Sequence, residues 1–194
     1  MGKIKSAPSS GVIEVSSLDD IEKVEARIRS NAVQLIRAIK DSSVSEMALF
    51  ERLRFQEFGR HPISDEPLNA VEQLNESWTF LVALSATRQL LKWHPDAGGF
   101  RLAPGAHMAQ ALDVMSVRQG LVGAETFAAV RGSNNKKLNR DIAKMRDRTE
   151  RHRYVMFASS DAPDQRTQRL LEKEKESGVQ VWRVDVGLGT DVGG

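Results

Sequence analysis

The sequence predicts an α/β protein in which a mixed sheet is flanked by helices and preceded by a helical N-terminal extension. Helical periodicity dominates residues 17–93, where apolar residues recur three and four positions apart. After residue 99 the pattern changes to short apolar runs separated by Gly, Pro and polar turns, which is typical of strands. We therefore expect helices first and a sheet domain after them.

The chain divides into four predicted regions. Residues 1–16 are basic at the start and contain Ser and Pro, which predicts a disordered tail. A helical extension is expected over residues 17–66 and an α/β domain over residues 67–186. The Gly-rich residues 187–194 predict a flexible tail.

Three helices are predicted before the sheet, at residues 17–40, 43–58 and 68–93. Ser17 offers an N-cap for the first helix, and the Gly and Pro residues that follow Phe58 end the second. The third helix is the longest. It is expected to bury a stripe of apolar side chains: Val71, Leu74, Trp78, Leu81, Val82 and Leu90.

The remaining elements alternate between strands and helices. Strands are predicted at residues 99–103, 111–117, 120–130, 153–160 and 179–186, and helices at residues 134–148 and 164–176. The first three strands form an antiparallel meander, and the later ones follow strand–helix–strand crossovers. This order requires a mixed sheet with helices on both faces.

Composition narrows the classes of function. The chain has no cysteine, which excludes disulfides, thiolate zinc sites and cysteine nucleophiles. Any metal would therefore have oxygen or imidazole ligands, which favours Mg²⁺ or Mn²⁺. No apolar run of about 18 residues and no signal-like N-terminus occur, so we expect a cytoplasmic protein without a membrane partner.

Charge is unevenly distributed along the chain. The formal net charge is only +2, but residues 131–153 carry nine basic and three acidic residues. A basic segment of this kind can bind a polyanion, although a solvated helix face is the alternative interpretation.

Two carboxylates on consecutive predicted strands immediately precede this basic segment. Asp113 lies on one strand and Glu125 on the next, so the two side chains can converge. A charge at position 125 on an apolar strand is costly to bury without a partner. A metal, Arg131 or a lysine of the next helix could each be that partner.

The order of elements, with Asp113 on the second strand of the meander and Glu125-Thr126-Phe127 on the third, resembles the PD-(D/E)XK nuclease superfamily. The resemblance covers residues 67–186 and implies a restriction-endonuclease-like fold. It implies that Asp113 and Glu125 bind Mg²⁺ or Mn²⁺. It also implies that Glu72 or Glu76 of the preceding helix supplies a further carboxylate.

The chain departs from the superfamily pattern at Phe127, where the motif has a lysine. Some members of the superfamily carry this lysine on the following helix, which implies the role for Lys136 or Lys137. Basic residues nearby are expected to contact the phosphates of nucleic acid: Arg131, Arg140, Lys144 and Arg151.

The leading hypothesis is a metal-dependent nuclease that hydrolyses phosphodiesters of DNA or another nucleic acid. The alternative is a catalytically inactive nuclease-fold protein that serves as a nucleic-acid-binding or protein-interaction module. For each single residue, a salt-bridged or solvated surface charge is the competing interpretation. A third hypothesis is that the amphipathic, acidic N-terminal helices pair two copies of the chain or dock a partner, and that the protein does not act on nucleic acid.

Overall fold

The computed structural model describes residues 12–105, 110–130, 136–160 and 167–187. The helices in this part of the chain are α1 (Leu18–Lys40), α2 (Glu46–Phe55), α3 (Ala70–Trp93), α4 (Lys136–Arg146) and α5 (Leu171–Ser177). The strands are β1 (Ile13–Val15), β2 (Gly59–Arg60), β3 (Pro67–Leu68), β4 (Phe100–Leu102), β5 (Val114–Ser116), β6 (Val122–Ala129), β7 (His152–Ser159), β8 (Gln168–Arg169) and β9 (Gln180–Arg183). None of these helices has the combination of length and apolar composition needed to cross a membrane.

Seven of the strands form one mixed sheet in the order β1-β4-β5-β6-β7-β9-β8. Strands β4, β5 and β6 are the predicted antiparallel meander, and β6, β7 and β9 run parallel to one another. Strands β1 and β8 close the two edges in antiparallel orientation, while β2 and β3 form a separate hairpin. The predicted α/β class with a mixed sheet is confirmed.

Helices cover both faces of the sheet, as expected. On one face, α3 and α1 pack over a core that includes Phe80 and Ala124. On the other face, α4 covers a second core that includes Met145, Phe127 and Phe157. Side chains of β6 therefore alternate between the two cores, and the strand is buried on both faces for most of its length.

The N-terminal region joins the sheet instead of standing apart from it. Residues 13–15, assigned from sequence to a disordered tail, form β1, in which Ile13 pairs with Leu102 of β4. Residues 1–11 lie outside the described residues. The predicted first helix is confirmed as α1, with Ser17 as its N-cap: Ser17 Oγ accepts a hydrogen bond from the Asp20 backbone N–H.

The prediction for the buried stripe of α3 is wrong in the first half of the helix. Val71, Leu74 and Trp78 are 37–39% exposed, and the polar Gln73 is buried in their place. Gln73 Oε1 accepts a hydrogen bond from the Arg60 backbone N–H at 2.7 Å, and its Nε2 donates to Asn31 O at 3.0 Å. This end of α3 thus packs against backbone of α1 and the hairpin, where an amide side chain is needed.

The helix predicted at residues 164–176 begins later than expected. Residues 161–166 lie outside the described residues, and Gln168–Arg169 form strand β8 beside β9. The Arg169 guanidinium lies over the Trp182 ring and forms a two-bond ion pair with Glu174 at 2.6–2.7 Å. These contacts favour an extended backbone at residue 169, and α5 starts only after it.

We predict that Gln73→Met, which keeps the side-chain length, lowers the free energy of unfolding by about 2 kcal/mol. The substitution leaves a partly buried backbone N–H and a carbonyl without their side-chain partner. Chemical denaturation measures the change. The exposed Gln168→Met is the matched control and should stay within about 0.5 kcal/mol of wild type; equal losses for the two variants would contradict the role given to Gln73.

Candidate active site

The site lies where strands β5 and β6 diverge. Their pairing ends at Val114 and Ala124, so the next residues, Asp113 and Glu125, are no longer joined by backbone hydrogen bonds. Asp113 stays beside β4, because its carbonyl accepts a hydrogen bond from the Ala103 N–H at 2.9 Å. The gap that opens in the sheet is bordered by the two predicted carboxylates.

The Asp113 side chain replaces the missing strand partner. Its Oδ2 accepts hydrogen bonds from the Thr126 backbone N–H at 2.7 Å and from the Thr126 Oγ1 hydroxyl at 3.1 Å. These bonds satisfy a donor of β6 that the departing strand leaves unpaired. Asp113 is thereby held in one position against β6.

Glu125 is only 4% exposed in the middle of β6, and its partner is a lysine of the next helix. Lys144 Nζ donates to Glu125 Oε1 at 2.7 Å, while about half of the Lys144 side chain is open to solvent. Of the three partners that the sequence left open, the structure therefore has the lysine. Arg131 lies outside the described residues.

Helix α4 presents a second acid between two lysines at positions i, i+4 and i+7: Lys137, Asp141 and Lys144. Lys137 Nζ lies 3.1 Å from Asp141 Oδ2 and 3.3 Å from Oδ1, with hydrogen-bond geometry only to Oδ1. The same ammonium group lies 5.6 Å from the centre of the Phe127 ring. A lysine of α4 thus reaches the side chain that stands at the motif's lysine position.

All three carboxyl groups of this cluster are held in an environment that disfavours their charged form. Burial raises the pKa of Asp113 and of Asp141 above its ordinary value. Burial, followed by the nearby charge of Asp113, raises the pKa of Glu125 despite its bond to Lys144. Several buried carboxyls with raised pKa values beside lysines are more typical of functional sites than of structural cores.

The cluster opens into a cleft of about 710 Å³ at the carboxyl ends of β6, β7 and β9. Asp113, Glu125 and two of the α4 lysines, Lys137 and Lys144, line one side of it. Trp78 of α3 and Arg183 of β9 are among the residues that line the remainder. Clefts at the carboxyl ends of parallel strands are common ligand sites in α/β proteins.

The two helix carboxylates predicted from sequence differ in their position. Glu76 is half-buried and lies near the cleft. Its Oε2 atom would be 3.7 Å from a Cβ atom placed on Gly105, a residue that lines the cleft. That oxygen is buried without a hydrogen-bond donor in the described part of the chain. Glu72 is exposed in the first turn of α3. Of the two predicted residues, Glu76 is therefore the better placed to supply the further carboxylate of the site.

Three further predicted basic residues in the described part of the chain do not gather at Asp113 and Glu125. Lys136 and Arg140 are exposed on α4. Arg151 is exposed at the start of β7, where its N–H donates to Gly120 O, at the opposite end of that strand from the cleft. Lys137 and Lys144 are the α4 lysines that line the cleft.

Two residues of the site were missed in the sequence. Asp141 interrupts the inward apolar stripe of Leu138, Ile142 and Met145, and this interruption was a readable signal. Arg183 is a lone cation in the last strand, and its Nε is buried without a hydrogen-bond acceptor among the described residues. An unpaired guanidinium nitrogen in a cleft needs an acceptor, and an anionic ligand is one source.

Asp113 and Glu125 are the residues of this cluster that could hold a hard divalent cation. Asp113 Oδ1 and Glu125 Oε2 accept no hydrogen bond within the described residues, while the other oxygen of each group is occupied. No group of three or more acidic or histidine side chains is close enough to hold an ion in that part of the chain. Mg²⁺ commonly takes only one or two carboxylates and completes its shell with water and phosphate, so two ligands suffice.

Comparison of the chain with protein-family models, with curated proteins and with solved structures gave no match. The interpretation of the site therefore depends on its own geometry and chemistry.

We predict that Glu125→Gln raises the free energy of unfolding at pH 8 by more than about 0.5 kcal/mol, the range of neutral surface changes. Because the folded-state pKa of Glu125 is raised above 4.5, the wild type loses stability as pH rises through that folded-state pKa. The gain from glutamine should therefore shrink as pH falls toward 4.5. Denaturation at several pH values checks this, and a variant less stable than wild type at pH 8 would contradict it.

Proposed function

We propose that this chain is a metal-dependent nuclease of the PD-(D/E)XK type that hydrolyses phosphodiesters of DNA. The succession α3-β4-β5-β6-α4-β7 agrees with the α-β-β-β-α-β order that the sequence resemblance implies. The observation that carries the proposal is the buried pair Asp113 and Glu125 at the strand divergence, with Lys144 hydrogen-bonded to Glu125.

The missing motif lysine has a substitute in this proposal. Phe127 packs parallel to Phe157 at 5.2 Å between ring centres, so position 127 belongs to the core on the α4 side. Lys144 supplies an ammonium group at Glu125, and Lys137 supplies one above the Phe127 ring. Lys144, expected from sequence to contact phosphates, is therefore the main candidate in place of Lys136 or Lys137, with Lys137 second.

Each residue of the site has a definite task in hydrolysis. Asp113 and Glu125 would hold Mg²⁺ or Mn²⁺ through their remaining oxygens. When bound, such a cation supplies electrostatic stabilisation of the phosphoryl oxygens. Lys144 would orient the attacking water through its ammonium protons and stabilise negative charge on the phosphate. Partial burial of the cluster strengthens these charge interactions, because little water screens them.

The cleft suits a nucleic-acid strand. Its volume of about 710 Å³ lies in the range of ordinary ligand pockets and admits more than a single phosphate. The half-exposed Trp78 offers a surface on which a base can stack, and Arg183 offers a second phosphate contact. Arg140, exposed one position before Asp141, would contact the backbone farther from the reacting bond. The phosphate contact expected of Arg131 from the sequence stays a prediction, because that residue lies outside the described residues.

A second candidate function is a nuclease-fold protein that binds nucleic acid without cutting it. Two observations favour it: Phe127 occupies the motif position, and Lys144 already neutralises Glu125. The two candidates share the cleft and its cations. They differ only in turnover with Mg²⁺ or Mn²⁺.

We predict that the purified protein cleaves DNA in the presence of Mn²⁺ and that Glu125→Gln lowers the rate at least about 100-fold. Lys144→Met should lower it by about the same factor. The first substitution removes a ligand of the cation, and the second removes an ammonium group that stabilises transition-state charge. Cleavage of plasmid and of labelled single-stranded DNA and RNA measures the rates.

Two exposed substitutions on α5 serve as matched controls, Glu172→Gln and Lys175→Met, and both should cleave at the wild-type rate. Wild-type protein that binds DNA but cuts none of the substrates would establish the binding module in place of the nuclease. Unchanged cleavage by Glu125→Gln would exclude this site as the active centre.

We predict that Arg183→Gln weakens DNA binding about tenfold and reduces the slope of log Kd against log salt by roughly one unit. The guanidinium group would contact one phosphate, and each neutralised phosphate releases about one counterion. Fluorescence anisotropy with a labelled oligonucleotide in Ca²⁺ measures both quantities. Arg118→Gln is the control, because Arg118 pairs with Asp96 on an exposed surface; an equal effect of both substitutions would remove Arg183 from the proposed interface.

A further inference from the structure

Helix α2 carries an exposed stripe that faces away from the rest of the molecule. Met47, Phe50, Glu51, Arg54 and Phe55 recur at i, i+3, i+4, i+7 and i+8, and all five are exposed. Met47, Phe50 and Phe55 are 73%, 71% and 79% exposed. These five residues are called the α2 stripe below.

The α2 stripe has the spacing of a helix face that packs against another helix. No residue of α2 is fully buried, because its inner side is only half covered by α3. Isolated helices shorter than about 12–15 residues have only marginal stability in water. Helix α2 has ten residues and no fully buried side chain, so a further contact would stabilise it. A run of large exposed apolar side chains with polar neighbours commonly marks an interface.

The charges within the stripe point to a particular partner. Neither Glu51 nor Arg54 has an ion pair or side-chain hydrogen bond within the described residues. Two copies of α2 that cross antiparallel about a two-fold axis at the level between Arg52 and Leu53 bring Glu51 of each copy beside Arg54 of the other. A parallel pair would instead set Glu51 against Glu51 and Arg54 against Arg54. The stripe is thus complementary to itself in one orientation only.

We propose that the α2 stripe joins two copies of this chain in an antiparallel, two-fold symmetric dimer. In such an interface both copies use the same surface patch. Two-fold symmetry of this kind is the commonest symmetry of soluble oligomers. Phe50 and Phe55 lie at the outer ends of the two charged pairs and shield them from water. The pairs fix the register, as polar residues do in other helix–helix interfaces.

The exposed apolar area is sufficient for a moderate interface. Taking about 200 Å² for each large side chain, Met47, Phe50 and Phe55 together expose roughly 450 Å². This is more than half of the roughly 800 Å² that each partner buries in a standard interface. The inference does not depend on the proposed nuclease activity, since the stripe and the cleft have no residue in common.

Sedimentation equilibrium of the full chain over a dilution series tests the proposal. We expect a mass of twice 21.6 kDa at high concentration, falling toward a single chain on dilution. Glu51→Arg alone and Arg54→Glu alone should each raise the dimer Kd at least about tenfold, because each places like charges together twice. The double variant Glu51→Arg/Arg54→Glu should restore the wild-type Kd.

The controls separate dimerisation from folding. Glu172→Arg makes the same charge change on the exposed surface of α5 and should leave the Kd unchanged. At a concentration low enough for the wild type to be monomeric, circular dichroism and thermal melting of each variant should match the wild type, because the substituted side chains are exposed. A monomer at every concentration, a dimer that ignores both single changes, or a double variant no better than the single ones would overturn the proposal. Binding of monomeric protein to anionic lipid vesicles through Phe50 would overturn it as well.

Discussion

The candidate site depends on one contact, between the Asp113 carboxylate and the backbone N–H of Thr126. Two paired strands cannot separate inside a protein unless the exposed backbone donors find new acceptors. Asp113 provides that acceptor, so β5 can leave β6 at Val114 and the sheet can open beside Glu125. The same bond holds Asp113 where its second oxygen is available. A single side chain, that of Asp113, therefore both satisfies the backbone of β6 and leaves one carboxylate oxygen available for a ligand.

Burial of the charged cluster lowers the stability of the fold. Asp113, Glu125 and Asp141 are each less than a tenth exposed, and burial raises all three pKa values. Apolar residues of similar size would pack here with less desolvation, as Phe127 does on the same side of β6. A chain that keeps three buried acids next to a well-packed aromatic pair has not optimised this region for stability. Function is the general reason for such a compromise.

The spacing of apolar residues in the sequence correctly predicted the elements whose burial is regular, such as α1 and the strands β6 and β7. It failed for the first half of α3, because Gln73 is buried through hydrogen bonds to backbone of distant elements. The carboxylate pair Asp113 and Glu125 could be predicted from the sequence, because a charge on an apolar strand is unusual. A lysine of the next helix was among the expected partners of Glu125, but that this lysine is Lys144 could not be predicted, since it depends on the exact rotation of α4 over the sheet. Arg183 also required the fold, because strand β9 joins the cleft only through its parallel pairing with β7.

Helix α4 links the core to the proposed active site. Leu138, Ile142 and Met145 anchor it on the sheet, and this packing sets where Lys144 meets Glu125. A lysine at position 127 would have been fixed by its own strand, whereas a lysine from α4 moves with the helix. Small changes in the core beneath α4 therefore shift the ammonium group relative to the carboxylates. Since a displacement of about 1 Å can cost a factor of 100 in rate, the proposed activity should respond to core substitutions that leave every charged residue in place.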